Sequence, residues 1–155
     1  MGYLNLEMVE EAQGELGAIS PGLMASEEFL GLMATICLKS GNWEHLRTVS
    51  IILVSKWPGE CMHWIWLGTA TRHCLSIAEA ERVLQRALQT LPSEPLVHFN
   101  LACYAAQTGD LKLARERLAR AINLDLTLRL KALDEPDLEP LWDDLGKTSN
   151  PPDHD

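Results

Sequence analysis

The side chains of this 155-residue chain best equipped for chemistry are its cysteines and histidines, and their spacing gives them little to do together. Cys61 and His63 lie two positions apart, and His73 adjoins Cys74. Zinc ligands favour pairs separated by two to four residues, and side chains two apart on a helix point to different sides. Adjacent carboxylates occur at Glu10-Glu11, Glu27-Glu28 and Asp143-Asp144. At helix starts or on acidic faces such pairs favour the helix dipole or solubility rather than share a proton. The chain has no glycine-rich phosphate loop, no G-x-S-x-G elbow and no H-E-x-x-H pair. The expectation is a protein that is not an enzyme and uses no cofactor and no metal.

Charge and hydropathy narrow the partners. Twenty-two acidic against thirteen basic residues leave a net charge of −9, which phosphate backbones repel, so nucleic acid is not expected as a partner. No segment approaches 18 consecutive apolar residues, so none is expected to span a membrane. The start Met1-Gly2-Tyr3-Leu4-Asn5 lacks the basic and apolar stretches of a secretory signal. Leu6 stands where an acylated Gly2 would want Ser or Thr. Cytoplasmic residence is expected. Cys37, Cys61, Cys74 and Cys103 then read as reduced, small apolar side chains rather than disulfide partners.

The elements that must position these residues are announced by an internal echo. Trp64, Leu67, Gly68, Ala80, Leu84 and Ala87 recur 34 positions on as His98, Leu101, Ala102, Ala114, Leu118 and Ala121. One period earlier stand Leu30, Met33, Ala34, Leu46, Ser50 and Leu53. Such a period marks stacked helix pairs that cannot bury their own apolar faces. Ser26 caps a helix from Glu27 to Lys39 that stops at Gly41, and its partner ends near Trp57-Pro58. A third helix spans Glu60 to His73. Ser76-Ile77-Ala78-Glu79 reads as a capping box opening the fourth. Glu94-Pro95 opens the fifth, and Gly109-Asp110 supplies a left-handed stop followed by an N-cap. Small residues at 34, 68, 80, 87, 102, 114 and 121 let paired helices approach. Leu46 and Leu53 break that rule, so the first pair should pack more loosely.

The pattern Trp64-x2-Leu67-Gly68, then Ala80, Leu84, Ala87 and Pro92, resembles the tetratricopeptide repeat, over Glu27 to about Leu128. The resemblance implies an all-α, right-handed superhelical stack of antiparallel helix pairs, an α-solenoid of three repeats plus flanking helices. Residues 1–148 would form one domain: a half-repeat at 1–26, repeats at 27–60, 61–94 and 95–128, and a C-terminal cap at 129–148. Apolar residues at Leu6, Val9, Ala12, Leu16 and Ile19 supply the stripe of that half-repeat, and residues 149–155 should be disordered. The first helix of each repeat would line a concave groove. Its lining would be Leu32 and Thr35, then Met62, Ile65, Trp66 and Thr69, then Leu96, Phe99, Asn100 and Cys103. In peptide-binding members an asparagine at the place of Asn100 often holds the ligand backbone. A carboxylate clamp is not implied, because Gly31, Thr35, Trp66 and Leu96 occupy much of its lining.

An exposed apolar lining marks a binding surface unless the chain covers it itself. The function expected is a non-catalytic protein-interaction module that takes an apolar peptide or helix of another protein. Two alternatives stand beside it: a small cytosolic secretion-type chaperone, whose size and charge are similar, and a structural component that forms a homodimer through the apolar face. Beyond the last repeat, Leu138, Leu141, Trp142 and Leu145 are too apolar for a free tail. Trp142 should bury against Leu113, Leu118 and Ile122 as a cap, or beside Phe99 as a built-in competitor.

Overall fold

The computed structural model describes residues 26–147. The expected half-repeat and the tail 149–155 lie outside the described residues. Those described form eight α-helices and one 3-10 helix and contain no strand. Their contacts gather in two compact units that divide after Pro92.

The first unit holds α1 (Glu27–Ser40), α2 (Trp43–Lys56), α3 (Cys61–Cys74) and α4 (Ile77–Thr90). Side-chain oxygens define the starts of three of these helices. Ser26, Asn42 and Ser76 accept from the backbone N–H groups of Phe29, His45 and Glu79 at 3.1–3.3 Å, each satisfying a donor that the helix leaves orphaned. The expected capping box at Ser76 is changed in its second half, because the Glu79 carboxylate pairs with Arg82 at 3.0 Å. Gly41 ends α1 with φ at +72°, a left-handed conformation that favours glycine. Consecutive helices pack on one another, with α1 and α2 the least intimately packed pair. The fully buried Leu46 and Leu53 of α2 occupy positions where α4 carries the equally buried Ala80 and Ala87. Trp64 is 4% exposed, and its indole N–H donates to the Pro58 carbonyl at 2.8 Å, tying α3 to the turn before it.

The second unit holds α5 (Pro95–Gln107), α6 (Leu111–Leu124), α7 (Leu128–Asp134), the 3-10 helix η1 (Pro136–Leu141) and α8 (Trp142–Lys147). Gly109 turns the chain at φ +87°, and Asp110 caps α6 by accepting from Leu113 N–H at 3.1 Å. Ala102, Ala114 and Ala121 are all fully buried, as close approach of α5 and α6 demands. After α6 the next helix starts at Leu128. Asp125 accepts from both the N–H and the hydroxyl of Thr127, at 3.0 and 2.6 Å, and this local turn interrupts the helix. Pro136 and Pro140 then restrict the chain to η1, which packs on α5 and delivers Leu138 and Leu141 into the core.

Candidate functional site

In the first unit, α1 and α3 meet at a few residues, where His63 faces Glu27, and α3 is also tied to α2 and to the turn after it. Buried His63 donates through Nδ1 to the Trp57 carbonyl at 3.1 Å, and its Nε2 lies 3.4 Å from the Glu27 carboxylate. At the other end of α3, His73 stacks on Trp43 with ring centroids 3.8 Å apart and an interplanar angle of 3°. The helices so held carry six of the sequence-predicted residues. Leu32 is 59% exposed, Met62 is exposed, and Thr35, Ile65, Trp66 and Thr69 are half-buried. Ile36, one turn beyond Leu32, is 57% exposed and adds to the apolar face of α1. The Thr35 hydroxyl is turned inward on its own helix, donating to the Gly31 carbonyl at 3.0 Å.

Two of the four predicted residues of α5 differ from that expectation in exposure. Phe99 is 2% and Cys103 4% exposed, inside the cluster that also holds Leu138, Leu141 and Leu145. Packing of η1 on α5 is the physical reason: the chain covers this stretch itself. Lys131 adds its ammonium 5.1 Å from the centre of the Phe99 ring. Leu96 and Asn100 are half-buried. The Asn100 amide donates to the Leu96 carbonyl at 2.8 Å, so one of its hydrogen-bonding groups serves its own helix. Trp142 is partly buried against a single cluster that holds residues of both expected sites, Leu118 and Phe99. It packs against the same cluster as Leu113 and Ile122 and donates its indole N–H to the Ala132 carbonyl of α7 at 2.8 Å.

Groups with reactive chemistry do not converge. Burial holds the Cys37 thiol above its ordinary value. Burial also raises Cys74, where neighbouring Arg47 pulls the other way and Glu44 reinforces it. A thiol kept protonated is a poor nucleophile and a poor metal ligand. Among the described residues, no cluster of three or more His, Cys, Asp or Glu side chains is placed to hold a metal ion. No described helix is long and apolar enough to cross a membrane. No protein-family model and no curated protein matches the chain.

Among the depressions of the described surface is one on each unit. The first unit carries one of about 580 Å³ lined by Glu44, His45, Arg47, Thr48, Cys74 and Leu75. The second unit carries one of about 450 Å³. Its walls are Arg115, Leu118, Ala119, Ile122 and Asn123 of α6, Arg129 of α7, Leu141 of η1, and Asp144 and Leu145 of α8. The sequence reading missed this second depression because its walls are far apart along the chain. The one available signal was the apolar surplus of residues 138–145, which showed that the segment must land on something.

Proposed function

We propose that this chain is a cytoplasmic, non-catalytic protein-interaction module, a tetratricopeptide-like right-handed stack that takes an apolar peptide or helix of another protein on its first helices. The observation that carries the reading is the apolar face of α1 and α3. Leu32, Ile36 and Met62 are exposed, while Ile65 and Trp66 are half-buried beside them in sequence. Large apolar side chains left in water at i and i+4 on one helix mark an interaction surface, and a half-buried tryptophan is the residue type that anchors one. The helix pairs at a 34-residue period support the family reading, and the two thiols that burial keeps protonated, Cys37 and Cys74, suit a role without chemistry.

The test is affinity capture from a native lysate, comparing the wild-type chain with a Leu32→Asp/Ile36→Asp variant. Both positions are exposed, so the variant keeps its fold. Loss of the specifically captured proteins supports the reading, and identical captures from the two baits refute it. The same face favours a second reading, self-association through α1, because an isologous pair buries one apolar patch on both subunits. Light scattering at tens of micromolar separates the two: a wild-type dimer that the double variant converts to monomer would establish self-association.

A further inference from the structure

We draw no further inference here: the strongest candidate, the exposed apolar surface patch of Leu126, Leu130 and Leu133 at α7, carries nothing because nothing in the structure shows what covers it.

Discussion

Ser50 is fully buried on α2, and its hydroxyl has no hydrogen-bond partner among the described groups. Other helical hydroxyls in the molecule avoid that state: Thr35, Thr48, Ser55 and Thr71 each donate to the carbonyl four residues back, at 2.6–3.1 Å. A buried hydroxyl left unsatisfied costs about 1–3 kcal/mol. Replacing serine by alanine inside a helix adds a few tenths of a kcal/mol of helix preference. Against these gains stands the small void left by one oxygen atom, a loss of about 0.5 kcal/mol if a methylene's dispersion is the guide. Ser50→Ala should therefore stabilise the protein by about 1–2 kcal/mol, or about 2–8 °C in melting temperature for a chain of this size. Urea denaturation followed by circular dichroism measures the difference directly, and an unchanged slope certifies that the two chains unfold alike. A Ser50→Ala protein less stable than wild type by 0.5 kcal/mol or more would refute the reasoning, because it would mean that the hydroxyl is bonded after all. Ser50→Leu asks a second question of the same site. Leu84 and Leu118 occupy the matching positions of the later pairs, so a large loss there would show that the first pair has closed around the smaller side chain.

Trp64→Ala should cost about 3–5 kcal/mol, the usual loss for truncating a buried aromatic, and chemical denaturation that found less than 1 kcal/mol would place the indole outside the core. Trp142→Phe keeps an aromatic ring but removes the pyrrole half of the indole and the donor to Ala132, so it should cost at least about 1 kcal/mol in the same assay, the net worth of one such bond before the lost packing is added. Cys37 binds its proton more tightly folded than unfolded, so its contribution to stability is full below the ordinary thiol value of 9.0 and is lost as pH climbs above it. Melting temperatures between pH 8 and 10.5 should fall more steeply for wild type than for Cys37→Ala, and parallel curves would refute the assignment.

What the sequence made legible was local. Helix ends followed from Ser26, Gly41, Ser76 and Gly109, whose side chains or backbone conformations act within four residues. Burial of Trp64, Leu67 and the small residues followed from a repeat in which equivalent positions do equivalent work. Exposure followed the sequence pattern at Leu32 and Met62 but not at Phe99 and Cys103, whose burial is decided by a segment almost forty residues downstream. Pro136 and Pro140 announced a break in the helix, yet no short-range rule says where a broken chain lands. Ser50 stood out in the sequence as a polar residue in a leucine column. Only the packing around it shows that its hydroxyl is stranded.

The second unit closes with the last apolar residues of the described chain, and that has a consequence for how the protein is made. Leu138, Leu141 and Leu145 seal a core whose other members begin at Phe99. On a ribosome adding about 5–20 residues each second, the first unit is complete roughly 3–10 seconds before Leu145 is joined. Throughout that interval Phe99, Ala102, Cys103 and Leu118 have no lid. A nascent chain thus exposes this face until the segment through Leu145 has been made. A chain released short of Leu138 would keep that face permanently and become a substrate for chaperones and proteases. The closing segment is thereby a built-in check, since only a chain made through Leu145 can hide this core.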